Sequence, residues 1–102
     1  MNITADAILG DLNVPFVRDN EHYNVMNGKL DIWVTGDKIM FTVDDMEKLT
    51  AIDSTLMELG VKFNHKDGFL DCDATDRNLL SVIKVATDII VLGKDSVASL
   101  LH

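Results

Sequence analysis

Residues 71–75 carry the densest set of potentially reactive side chains in the sequence. Asp71 and Asp73 follow the apolar pair Phe69-Leu70, with Cys72 between them. Two carboxylates this close in sequence could take part in proton transfer or hold a metal ion. Together with His65, these two residues leave open a metal-dependent hydrolase as one class of function.

The pattern Asp71-x-Asp73-x-Thr75 resembles the nucleophile motif of haloacid-dehalogenase-type phosphotransferases. The resemblance implies that Asp71 would be the nucleophile and Asp73 the general acid. That family also needs a doubly wound parallel core after the motif, with a lysine and a further acidic pair, whereas only residues 76–102 follow it here. We therefore interpret Asp71 as an outward-pointing residue of an edge strand and Asp73 as a helix cap.

The remaining reactive residue types do not form a catalytic motif. His22, His65 and His102 are not spaced as ligands of one metal ion, and Cys72 has no second cysteine nearby. The sequence contains no Gly-rich phosphate loop, no G-x-S-x-G and no H-E-x-x-H. We expect a protein without catalytic residues, metal or cofactor, in which Cys72 is a buried thiol.

Composition restricts the class of protein further. The chain has 102 residues, of which 47% are hydrophobic, and 9 basic against 17 acidic side chains give a net charge of −8. This length predicts a single compact domain over residues 1–102. The lone cysteine favours a reducing cytoplasm, and the absence of a signal peptide or a long apolar segment predicts a soluble protein that does not bind membranes. Scattered lysines argue against direct binding to nucleic acid.

Helix signals occur in three places. Thr4 predicts the cap of a short first helix, and Asp44 predicts the cap of a second helix from about residue 45 to 59, closed by Gly60. A third helix is predicted from about residue 74 to 92, capped by Asp73 or Thr75 and closed by Gly93. A last turn is predicted from Asp95 or Ser96, with Val97, Leu100 and Leu101 as its apolar residues.

Strand signals lie between these helices. Alternating apolar residues from His22 to Val43, with turns at 27–28 and 36–37, predict a three-stranded antiparallel meander. A hairpin is predicted around the turn at residues 65–68, with Val61 and Phe63 facing Leu70 and Cys72. The order α-βββ-α-ββ-α predicts an α+β fold in which an antiparallel sheet, made of the meander and the hairpin, packs with about three helices.

The meander register predicts which side chains share a face. Tyr23, Val25, Leu30, Ile32, Val34, Ile39 and Phe41 face the core, and His22, Trp33 and Met40 form a row on the opposite face. Carboxylates beside this row, in its strands and turns, complete a candidate partner-binding site: Asp19, Glu21, Asp31 and Asp37. The alternative is that the first helix or the second hairpin covers this face, which would make Trp33 part of the core.

Two non-catalytic functions fit these features. Short acidic proteins of this kind resemble the small accessory proteins of phages and mobile elements, some of which block nucleic-acid-binding sites of host proteins. The first hypothesis is therefore an inhibitor that occupies a basic surface of a partner protein. The second is a homo-oligomeric structural or assembly module that associates through the helix at 74–92, the C-terminal segment or the Trp33 face.

Overall fold

The computed structural model describes residues 4–92, which form three helices and six strands. In chain order these are α1 (Ala5–Asp11), β1 (Phe16–Asp19), β2 (His22–Val25), β3 (Leu30–Thr35), β4 (Lys38–Val43), α2 (Met46–Glu58), β5 (Phe63–Lys66), β6 (Phe69–Asp73) and α3 (Asp76–Leu92). The predicted final turn, with Val97, Leu100 and Leu101, and the predicted closure at Gly93 lie outside the described residues.

All strand pairs in the single sheet are antiparallel, and the strand order is β1-β2-β3-β4-β6-β5. The predicted α+β class is confirmed. Two features were not predicted. Residues 16–19, directly after Pro15, add an edge strand to the meander, and β6 pairs with β4, so the second hairpin extends the same sheet. Because β6 lies between β4 and β5, the expectation that Asp71 lies on an edge strand is wrong.

The turns fix the register of this sheet. Asn27 and Gly28 both have positive φ, and the Lys29 amide donates to the Met26 carbonyl at 3.3 Å, which closes a tight turn between β2 and β3. Val25 lies opposite Leu30 as predicted. The second hairpin is tighter than expected: Asp67 and Gly68 alone form the turn, while residues 65 and 66 belong to β5.

Side-chain caps set the helix starts. The Thr4 hydroxyl accepts from the Ala7 amide, as predicted. The cap of α2 is Asp45, not the predicted Asp44, because the Asp44 amide still donates to the Lys29 carbonyl and so continues the β3–β4 ladder. Thr75 caps α3 by accepting from the Asn78 amide, which decides between the two predicted caps.

The core lies between the sheet and a layer formed by all three helices. Alternate strand residues, from Tyr23 on β2 to Cys72 on β6, share one buried cluster with Leu9 of α1, Leu56 of α2 and Ile83 of α3. Helix α3 contacts both α1 and α2. The opposite face of the sheet, called the outer face below, is therefore the face that the helices of residues 4–92 leave uncovered. No helix in this described range is long and apolar enough to cross a membrane.

Candidate functional site

The outer face carries a row of side chains that crosses all six strands. Successive antiparallel pairs align, in order across the sheet, Asp19, His22, Trp33, Met40, Asp71 and Asn64. Residues directly opposite each other on neighbouring strands point to the same side of a sheet. The predicted juxtaposition of His22, Trp33 and Met40 is thus present in the register.

Neither element that could have buried Trp33 does so. Helix α1 packs on the core face with α3, and the second hairpin continues the sheet in its plane. Trp33 and Phe69 are partly exposed, and Met40 retains 37% of its surface. Within residues 4–92, Trp33 therefore lies on a sheet face that no helix covers, partly exposed and in contact with its neighbours on that face.

Three rings form a continuous aromatic ridge on this face, defined by His22, Trp33 and Phe69. The His22 and Trp33 rings stack with centroids 4.7 Å apart and an interplanar angle of 15°. The Trp33 and Phe69 rings meet at 5.8 Å and 53°. Since Phe69 lies two strands away from Trp33 and in the neighbouring row of side chains, the ridge runs diagonally across the sheet.

A carboxylate lies on each side of the aromatic ridge. Asp31 pairs with His22, with 2.8 Å between its Oδ1 and the imidazole Nε2. Asp71 accepts a hydrogen bond from the side-chain amide of Asn64 at 3.2 Å. Strand spacing of about 4.8 Å and a two-residue step of about 7 Å place the two Cα atoms roughly 12 Å apart.

More carboxylates gather at the end of the sheet that holds the β3–β4 turn. Lys38 donates to Asp73 at 2.9 Å. This hydrogen bond, together with the negative charges of Asp73, Asp71 and Asp37, raises the pKa of the Lys38 ammonium. The lysine therefore stays charged to a higher pH than an ordinary lysine, and it offsets part of the negative charge of the carboxylates. Asp73 takes this role in place of the predicted helix cap.

The structure divides the predicted binding residues. Trp33, Met40, His22, Asp31 and Asp19 lie together on the outer face. The other two, Asp37 and Glu21, occupy turns.

Asp37 is exposed in the turn between β3 and β4, next to this face, and its carbonyl accepts from the Ala74 amide. Glu21 lies in the turn after β1 and lines a cavity of about 180 Å³ with Thr4, Asp6 and Tyr23. That cavity is on the helix side of the sheet. Glu21 is therefore separated from the other predicted residues.

A polar cluster that the sequence did not reveal fastens α1 to the sheet. The Tyr23 hydroxyl donates to Asp6 Oδ1 at 2.5 Å, and Arg18 Nη1 donates to the same oxygen at 3.0 Å. The Tyr23 hydrogen bond is the main cause that lowers the pKa of Asp6. Burial, and then the hydrogen bond to Asp6, raise the pKa of Tyr23 to about 12. Arg18 and Tyr23 pair across the β1–β2 hairpin, but Asp6 is 12 and 17 residues away from them, so no local spacing points to this cluster.

The residues of the hydrolase hypothesis are not brought together. Asp71 lies on the outer face, whereas His65 pairs with Leu70 on the core side and contacts Asp53 of α2 at 3.1 Å. Burial, with smaller contributions from Asp71 and Asp73, raises the pKa of Cys72 to about 11, so its thiol is protonated at neutral pH. Within residues 4–92 no group of three His, Cys, Asp or Glu side chains is arranged to hold a metal ion.

No protein-family model, curated protein sequence or solved structure significantly matches this chain. The side chains of the outer face are of kinds that can make non-covalent contacts. Aromatic and thioether groups provide apolar contact, and the flanking carboxylates accept hydrogen bonds from cationic donors. Phe69 and Asp71 join this site only because β6 pairs with β4. The alternation of Leu70 and Cys72 as core residues is the sequence signal that places them outward.

Proposed function

We propose that this protein is a non-enzymatic binding protein whose outer face occupies a basic, nucleic-acid-binding surface of a partner protein. The observation that carries the proposal is the aromatic ridge with carboxylates on both sides, on the sheet face opposite all the described helices. Aromatic anchors with a polar rim are typical of protein interfaces. Carboxylates on a rigid sheet attract clustered Lys and Arg side chains.

The proposal includes the setting in which the protein acts. An inhibitor of the phage or mobile-element type meets its target in the cytoplasm, and a single cysteine, which cannot form an internal disulfide, suits that reducing compartment. The protein would compete with nucleic acid for the partner and would bind neither nucleic acid nor a membrane itself, since its own net charge is −8.

Affinity capture from a lysate of the source cells tests this proposal when it is combined with competition. A captured partner should be released by added duplex DNA or RNA and by moderate salt. Trp33→Ala should weaken capture about tenfold or more, as expected for a central interface residue. Asp31→Asn with Asp37→Asn should weaken it and reduce its dependence on salt.

The matched control removes the same amount of charge elsewhere. Asp11 and Glu58 are exposed at the ends of α1 and α2, on the helix side of the molecule. Asp11→Asn with Glu58→Gln should leave capture unchanged. The proposal is wrong if the captured partner is not displaced by nucleic acid, or if the control pair weakens capture as much as the Asp31 and Asp37 pair does.

A second candidate function, a homo-oligomeric assembly module, is favoured by a different surface. Most apolar residues of α3 are buried, but Leu80, Val91 and Leu92 remain 46%, 67% and 60% exposed. Leu80 also lines a cavity of about 240 Å³ with Leu59 and Val85. Light scattering tests this alternative: a dimeric mass that Leu80→Glu converts to a monomer supports it, and a monomeric mass at high concentration excludes it.

A further inference from the structure

We propose that the aromatic ridge is a receptor for an arginine side chain of the partner, with the guanidinium lying on the Trp33 and Phe69 rings and pairing with Asp71 or Asp31. This inference rests on the proposed function and specifies the chemistry that the outer face recognises. It commits to an arginine presented by a protein, because the described part of the chain leaves the site on a sheet face and not in an enclosed cavity.

The arrangement of the rings favours a flat cation. His22 covers one face of the Trp33 indole at 4.7 Å, and Phe69 leans against Trp33 at an angle of 53°. Both rings remain partly exposed, on the two strands that flank Met40, which is itself 37% exposed. A guanidinium is planar and weakly hydrated and stacks on aromatic faces, whereas an ammonium is a compact and strongly hydrated charge.

The flanking carboxylates supply the complementary charge. Asp31 and Asp71 lie on opposite sides of the ridge, so a guanidinium on the rings has a carboxylate within reach on either side. Their present partners are the His22 ring and the Asn64 amide. The planar fork of donors in arginine matches a carboxylate with two parallel hydrogen bonds, which a lysine cannot form.

Oligo-arginine and oligo-lysine peptides of equal length test the inference, since they carry equal charge and differ in the shape of the cation. Trp33 is the single tryptophan of the chain, so its fluorescence reports binding at the ridge. For a variant that lacks Trp33, calorimetry compares the affinities of the two peptides. We expect the arginine peptide to bind about threefold to tenfold more tightly at the same salt concentration.

Two phenylalanines of one hairpin provide a matched pair of variants. Phe69 is on the outer face, and Phe63 lies opposite Cys72 on the core side. Phe69→Leu should reduce the preference for arginine, since the Trp33 ring remains, but should leave the charge-driven affinity that both peptides share. Phe63→Leu should keep the preference. Asp71→Asn should weaken the arginine peptide more than the lysine peptide.

The outcomes separate this inference from the proposed function. Equal, salt-dependent binding of the two peptides would overturn the arginine receptor and leave a charge-driven partner surface standing. A preference for arginine that Phe69→Leu leaves undiminished would overturn the location at the ridge. If neither peptide binds at low salt, both ideas fail. If the arginine preference is found but capture of the cellular partner ignores nucleic acid, only the proposed function fails.

Discussion

The hydrogen bond between Tyr23 and Asp6 should be a principal fastening of α1 to the sheet. Tyr23→Phe removes the hydroxyl that donates to Asp6 at 2.5 Å and leaves the ring, which is buried, in place. Hydrogen bonds to charged groups contribute about 1.5 to 3 kcal/mol. Because the Asp6 side chain is 40% exposed, water can replace part of the lost bond. We expect the free energy of unfolding to fall by about 1 to 2 kcal/mol.

The pH dependence of this loss has a defined sign at each end of the range. The pKa of Asp6 is lowered in the folded state, so its contribution is present above the ordinary value of 3.8 and is lost as the pH falls through the folded pKa. The pKa of Tyr23 is raised from 10 to about 12, so its contribution is complete below pH 10 and is lost as the pH rises toward 12. The difference between wild type and Tyr23→Phe should therefore be largest between these limits.

Urea unfolding at a series of pH values, followed by Trp33 fluorescence and circular dichroism, measures the effect. A double-mutant cycle with Asp6→Asn isolates the coupling between the two side chains, and Asp11→Asn on the same helix is the control. A loss below about 0.5 kcal/mol, or a loss that does not change between pH 3 and pH 7, would refute the assigned role of this hydrogen bond.

Three other properties of the fold should be measurable in the same way. Asp45→Ala removes the α2 cap and should lower the free energy of unfolding by about 0.5 to 2 kcal/mol. Asp44→Ala should change the free energy of unfolding by less than about 0.5 kcal/mol. The reverse ranking would contradict the observed cap. Gly10→Ala, in open space within α1, should stabilise by roughly 0.5 to 1 kcal/mol, whereas Gly60→Ala, at φ +82°, should destabilise by about 1 to 2 kcal/mol in denaturant titrations. Cys72 should resist alkylation by iodoacetamide at pH 8 in the native protein and should react in urea, as measured by mass spectrometry. Rapid alkylation of the native protein would contradict the burial of Cys72 and its pKa of about 11.

The core strands could be predicted from the sequence because their apolar residues recur with a period of two. The pairs Tyr23 with Ile32 and Ile32 with Phe41 follow once the turns are placed, since a shift of one residue would turn the buried set outward. Strand β1 lacks this signal. The burial pattern along Phe16–Asp19 shows no alternation. The sequence of this short edge strand therefore does not indicate that it pairs with β2.

Helix starts were predictable to within a residue or two, and the errors have a common cause. Asp44 and Asp73 are capping residues by type, but both are still held by strand hydrogen bonds or strand pairing when the helix begins. The cap therefore passes to Asp45 in α2 and to Thr75 in α3. The capping preference of amino acids predicts which type of residue begins a helix. The end of the preceding strand determines which of the neighbouring candidates is the cap.

The central part of the candidate site could be predicted from the pairing of strands that are neighbours in sequence. Its extension to β6 depends on pairing between strands that are distant in sequence. Trp33 and Met40 are neighbours across one hairpin, so their shared face follows from the turn at residues 36–37. Phe69 reaches Trp33 only because β6 inserts beside β4, which no turn specifies. Sheet order depends on how the helices cover the core, and that information is spread over the whole chain.

The net charge of −8 overstates the charge that is available for recognition, because several carboxylates are held in contacts within the protein. Several are engaged by other groups: Asp6 by Tyr23 and Arg18, Asp45 by the α2 amides, and Asp73 by Lys38. Asp71 differs from these in degree, because its hydrogen bond is to the neutral Asn64 amide and Lys38 acts on it only through charge, while it lies two residues from Phe69 on the outer face. Attraction between charges decays within about 10 Å at ordinary salt, so a partner bound at the ridge is affected mainly by the carboxylates beside it. Recognition should therefore depend on the local charge around the rings and only weakly on the total.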